Sequence, residues 1–278
     1  MLARKVTDSY TFRRPSTASA VALAAASAAV LAVIAIYALR LNHAAGLMVD
    51  DAWYVLLAKS LAEGSGYRLI SSAATPILPN YPPGFPAVLS LVFRVSSEFP
   101  QNVWLLKSVS IAAMMGVGLL SYAYLRHHRH LSRDVAACVA VAVMMTPAFV
   151  FLATSTVMSE CVFTLTQLAT VLLIHRSVET TDRRTGRSFV VLAAILAAAT
   201  VLIRSAAAGL VIAAVLWFVK ERLGKRAVVF AAVVVLCLLP WWLYARAHMP
   251  TAAERAAHGG AVVYGYTDQF WMRWAGTP

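Results

Sequence analysis

Asp50 and Asp51 stand side by side at the head of the longest stretch that is neither continuously apolar nor basic, DDAWYVLLAKSLAEGSGYRLISSAATPILPNYPPGFP. Adjacent carboxylates at such a place have a structural use and a chemical one. Structurally, Asp50 caps the helix predicted by the apolar positions Trp53, Leu56, Leu57 and Leu61, Asp51 complements its dipole, and Gly64 stops it. Chemically, a carboxylate about ten residues beyond an apolar run is partly desolvated and can serve as a general base or bind a metal.

Three further features could take part. The segment NYPPGFP turns the chain into a following apolar helix, because proline fixes φ and removes a donor. Ser159 and Glu160 open a later apolar run, with the acid close to a span. Arg204 interrupts a long apolar stretch, either snorkelling to lipid headgroups or gripping a lipid phosphate with its donor fork. His127, His128 and His130 sit in a basic cluster and read as part of a solvated face. The phosphate loops GxxxxGKS/T and GxGxxG, a helical His/Glu zinc motif and the GxSxG elbow are all missing, which disfavours soluble nucleotide chemistry. A donor that is itself embedded in the membrane fits better.

The elements that must position these residues are apolar. Sixty per cent of the chain is hydrophobic and 13% charged, with a mean hydropathy of +0.72, which describes a polytopic membrane protein. The net charge of +12 sits in short clusters between apolar runs and not on the basic face of a soluble fold, so no nucleic-acid partner is expected. Cys138, Cys161 and Cys237 fall in expected spans, and no disulfide is expected. Spans are read near 18–39, 103–125, 135–154, 161–174 and 227–244, and the first of these runs is long enough to cross about 30 Å of hydrocarbon. The first reads as an uncleaved signal anchor. Residues 189–218, too long for one span, read as a helical hairpin with Arg204 at its tip, while 84–95 is too short to cross and reads as interfacial or re-entrant.

The expected fold is therefore all-α, with about seven transmembrane helices in a single domain (1–278) and a helical first external loop (40–102). Fifteen of the 24 Lys and Arg residues fall in 1–17, 126–134, 175–188 and 220–226, which the positive-inside rule assigns to the cytoplasm. The Asp50 loop, the STVMSE link, Arg204 and the tail 245–278 then face out from a bacterial inner or plasma membrane. The aromatics of that tail, Tyr264, Tyr266, Phe270, Trp271 and Trp274, suit a membrane surface.

In this order, VDDAWYVLLAKSLAEGSGY, NYPPGFPAVLSLVF, STVMSECVFTL, TVLIRSAAAGL and PWWLYARAHMP resemble the GT-C glycosyltransferases that use polyprenyl-phosphate sugars, among them the protein O-mannosyltransferases and the lipid A aminoarabinose transferases. The resemblance covers roughly residues 20–255. It implies sugar transfer at the outer face with inversion at the anomeric carbon, from a polyprenyl-phosphate-linked donor to a lipid, glycan or protein acceptor. By that analogy Asp50 activates the acceptor and Asp51 holds the acceptor or a divalent cation. Arg204 contacts the lipid phosphate, and Tyr54, Tyr81 and Glu160 line the substrate site.

Two features depart from the family pattern. The acidic pair is Asp-Asp where Asp-Glu is usual, and Tyr81 precedes Pro-Pro where many members carry a basic residue. Members are also usually much longer, so the resemblance implies a fragment or a short form. A transporter or flippase for lipid-linked sugars and a non-catalytic membrane subunit are the alternatives. The first of these would place polar groups in the middle of several spans.

Overall fold

The computed structural model describes residues 17–71, 77–78, 81–249 and 251. The basic N-terminal segment before residue 17 and the aromatic tail lie outside the described residues, as does the Asn80 that opens NYPPGFP. Among the described residues the chain is all-helical, with ten α-helices: α1 (Thr17–Arg40), α2 (Val49–Ala62), α3 (Gly84–Val95), α4 (Val103–His127), α5 (Arg133–Met144), α6 (Pro147–Thr154), α7 (Glu160–Glu179), α8 (Arg183–Ile203), α9 (Ala208–Lys220) and α10 (Gly224–Ala247).

Four of these, α4, α7, α8 and α10, are long and apolar enough to cross a membrane, and α5 with α6 makes a fifth if the bent pair is one span. These helices describe an integral membrane protein. The other two expected spans are α1, an apolar helix of 24 residues from Thr17 to Arg40, and Ser205–Lys220, which is short for a span.

The run at 135–154 is not one straight helix. It bends by 54° between α5 and α6, because Thr146 precedes Pro147 and is pushed out of the helical region to φ −55°, ψ 122°. Pro147 has no N–H to give Val143, whose carbonyl instead accepts from Thr146 N at 3.3 Å. The Met144 carbonyl takes the buried hydroxyl of Tyr37 in α1 at 2.7 Å.

Helix boundaries move furthest in the polar run after α7. HRSVETTDRRTGRS is mostly helical: α7 continues to Glu179 and α8 begins at Arg183, where the Asp182 carboxylate accepts from Arg184 N and Thr185 N. The two helices then pack along their length, with Ala193, Ala194, Ala197 and Ala198 of α8 buried among α7, α9 and α10. Small side chains let apolar helices approach closely without a hydrophobic drive between them.

The expected turn at Arg204 is present. Arg204 is extended at φ −148° and is followed by a 3-10 turn, Ser205–Ala207, and then by α9. The far end of α9 brings Trp217 to 6.0 Å from His175 near the end of α7, while Arg204 lies beside Glu160 at its start. The segment therefore runs back along α7 as a hairpin.

All these helices share two ends. One carries α2, α3, the start of α7 and the Arg204 turn. The other carries the ends of α4, α7 and α9 and the starts of α5, α8 and α10, where the described basic clusters lie. At the first of these ends α3, too short to cross, packs on α2 with its start against the end of α8.

Candidate active site

Asp50 is not the cap of α2. The helix begins at Val49, its N-cap is Met48, and both acids lie within its first turn, where the dipole favours them. Successive helical residues are about 100° apart, so the two carboxylates diverge. Asp51 is fully buried, and its Oδ2 accepts from Leu47 N at 3.2 Å while Oδ1 has no hydrogen-bond partner. Asp50 stays partly exposed, and its Oδ1 accepts from the Tyr81 hydroxyl at 2.6 Å.

Tyr81 reaches Asp50 because the segment after it is clamped. The Tyr67 hydroxyl donates to the Tyr81 carbonyl, and the Tyr67 ring stands edge-on to Trp241 of α10 at 5.0 Å. Gly84 then lets α3 start in contact with the end of α8: a Cβ there would lie 2.7 Å from the Leu202 carbonyl carbon and oxygen. NYPPGFP is thus more than a turn, and its glycine is required by a backbone-to-backbone approach beside Arg204.

Tyr54, one turn after Asp50 on α2, is buried at the centre of the group. Its ring is edge-on to Tyr81 at 5.5 Å and to Phe85 at 5.0 Å. Its hydroxyl shares a hydrogen bond with Ser159 Oγ at 3.2 Å. Burial pushes the Tyr54 phenol above its ordinary value of 10, against the opposing pull of the Ser159 hydrogen bond and of Arg204, and with a further push from Asp50 and Glu160. At neutral pH Tyr54 is a neutral phenol beside Asp50, Glu160 and Arg204.

Arg204 closes the set. Its Nη1 pairs with Glu160 Oε1 and donates to Ser159 Oγ at 3.4 Å. It is therefore anchored at the start of α7 and does not simply snorkel outward, yet about a third of its side chain remains exposed. Asp50, Tyr54, Tyr81, Glu160 and Arg204 accordingly meet at one end of the molecule. Asp51 is adjacent in sequence but turned into the core.

The sequence reading missed what Asp51 turns towards. Lys107, in the first turns of α4, is completely buried, and its Nζ donates to Asn42 O at 2.8 Å and to Asn42 Oδ1 at 2.6 Å. Asp51 lies within electrostatic range of that ammonium. A lysine inside an apolar run is costly unless partnered, and this was the available signal in VWLLKSVS.

Chemically, the arrangement offers an oriented, accessible carboxylate and a braced guanidinium on either side of a neutral phenol. It does not offer a cation two converging acids. Asp50 and Asp51 point apart, Glu160 is engaged with Arg204, and among the described residues the one group of three potential ligands that converges lies elsewhere. No family model matches the chain, and no curated protein or solved structure shows significant similarity to it. The functional reading rests on this geometry and on the motif resemblance.

Proposed function

We propose that the chain is a GT-C-type membrane glycosyltransferase that moves a sugar from a polyprenyl-phosphate-linked donor to an acceptor hydroxyl at the extracytoplasmic face. The observation that carries the reading is that Asp50 and the Arg204–Glu160 pair, drawn from opposite halves of the chain, flank the single phenol of Tyr54. This is the division of labour that glycosyl transfer from a lipid phosphate requires.

Asp50, fixed by the Tyr81 hydroxyl, takes the proton from the acceptor hydroxyl. The acceptor oxygen forms its bond to the anomeric carbon from the face opposite the leaving group, and the configuration inverts. The bond from that carbon to the phosphate oxygen breaks, and its electron pair leaves with the polyprenyl phosphate. Arg204 offsets the charge that develops on the departing phosphate, and Glu160 and Ser159 hold the guanidinium in place for it. Tyr54, neutral and hydrogen-bonded, separates base from guanidinium and walls the reacting sugar. No step is assigned to a metal ion, because the carboxylates present do not converge on one.

The test is glycan transfer by Asp50→Asn in a host where the intact protein supports it. Transfer should fall by roughly 100-fold or more, the contribution of a positioned general base. Unchanged transfer by a variant inserted in the membrane at the same level removes Asp50 from the chemistry.

A further inference from the structure

At the end of the molecule opposite Asp50, three side chains converge, one of them His128, which the sequence pattern placed on a solvated face. His175 and Glu179 are four residues apart on α7 and so share a face. His128 caps the end of α4 and turns inward, its side chain only 9% exposed, whereas its neighbours His127 and His130 are exposed. One ligand atom from each of His128, His175 and Glu179 lies within 4.8 Å of the other two.

We infer that His128, His175 and Glu179 form a binding site for a divalent transition-metal ion of the zinc type. Two imidazoles and one carboxylate are a donor set suited to such an ion, with a fourth position left for water or another ligand. The spacing fits. Bonds of about 2.0–2.1 Å to a tetrahedral ion set neighbouring donors roughly 3.3 Å apart, and His128 Nδ1 stands 3.2 Å from Glu179 Oε1. Glu179 is half exposed and can swing to close the wider separations.

The imidazoles are held for the role by aromatic walls. Tyr124 stacks on His128 with ring centres 5.5 Å apart, and Trp217 of α9 lies 6.0 Å from His175. Nearby arginines, which would repel a cation, are turned to backbone carbonyls: Arg126 donates to Leu131 O at 2.6 Å, and Arg226 donates to Ser177 O. A His–Glu hydrogen bond alone accounts for two of the three residues. It does not account for the second imidazole, which meets both of the others from the same helix face as the acid. The ion would clip the end of α4 to the end of α7, and this site stands independently of the proposed transfer chemistry.

The experiment is calorimetric titration of Zn²⁺ into the full chain, purified in detergent and stripped with chelator, alongside the absorption spectrum with Co²⁺. The intact protein should bind one ion per chain tightly and give the intense visible bands of four-coordinate Co²⁺. His128→Ala, His175→Ala and Glu179→Gln should each weaken Zn²⁺ binding by well over the ~10-fold that loosening a ligand's support already costs, and His127→Ala should not. Glu179→Gln alters only an exposed side chain, so it reports even if a histidine variant fails to fold. Absence of a bound ion at micromolar Zn²⁺, six-coordinate Co²⁺ spectra, or affinity unchanged in Glu179→Gln would each overturn the site.

Discussion

The two ends of this molecule are built from the same long helices and solve the placement of polar groups in opposite ways. At the Asp50 end, α2 and α3 pack on each other and against the ends of longer helices, and Tyr54, Ser159, Asp51 and Lys107 are all at or near zero exposure. At the other end, among the described residues, no pair of short helices is packed in this way. Asp182, Glu179, His127 and His130 face outward, and the basic residues lie along short links. Burial makes the first end expensive to change, because each of its groups relies on one particular partner. Exposure makes the second end tolerant.

The largest stability effect should come from the buried charges. Lys107→Met strips Asn42 O and Oδ1 of their buried charged donor, at about 1.5–3 kcal/mol for each bond, and removes the cation within electrostatic range of Asp51. The double variant with Asp51→Asn should recover the part of that loss that comes from leaving the Asp51 charge without a nearby cation. Thermal unfolding in detergent checks both, and a double variant no better than the single would uncouple the two groups.

Next comes Gly84→Ala, whose Cβ would meet the Leu202 backbone at 2.7 Å. Since backbone cannot step aside as a side chain can, α3 must shift, at a cost of about 1–3 kcal/mol. Glycan transfer should fall along with stability, because Tyr81 and Arg204 sit on the two sides of that contact. A variant with full transfer would mean that the Pro-Pro segment does not set the geometry of Asp50.

Alkali offers a gentler probe of the same end. With its folded value raised above 10.0, Tyr54 contributes stability that is complete below pH 10 and is lost as pH rises through that folded value. Melting temperature should drop above pH 10 in the intact protein, and Tyr54→Phe should flatten that drop. An identical alkaline profile for the two would assign the loss to other groups.

The smallest effect belongs to the opposite end. Asp182 is exposed, and hydrogen bonds from the Thr185 hydroxyl and backbone, with a lesser one from Arg184 N, hold its carboxyl below the ordinary 3.8. Its contribution is therefore present above pH 3.8 and fades as pH falls through the lower folded value. Asp182→Ala should lower the melting temperature slightly at pH 7 and leave glycan transfer intact. A loss of transfer would break the contrast between the ends.

Much of this layout was legible in the chain. Apolar runs marked the helices, Arg204 marked the hairpin turn, and the charge clusters separated one end from the other. The gathering of Tyr81, Glu160 and Arg204 near Asp50 followed from placing their segments on one side of a membrane. Helix phase was harder to read. Asp50 and Asp51 look equivalent in sequence, but the start of α2 at Val49 points one towards Tyr81 and the other towards Lys107. Gly84 was hidden for a similar reason, since the need for a missing Cβ arises from α8, far along the chain. His128 and His127 likewise differ only in the direction in which the end of α4 aims them.

The bend at Pro147 bears on how the protein is made. The carbonyl at the end of α5 is buried away from water, and the hydroxyl that satisfies it comes from Tyr37 of α1. Ribosomes deliver α1 to the bilayer well before α5 exists. The bond can therefore close only after the later helix is made, and Tyr37→Phe should leave newly made chains prone to quality-control degradation even where the mature fold survives.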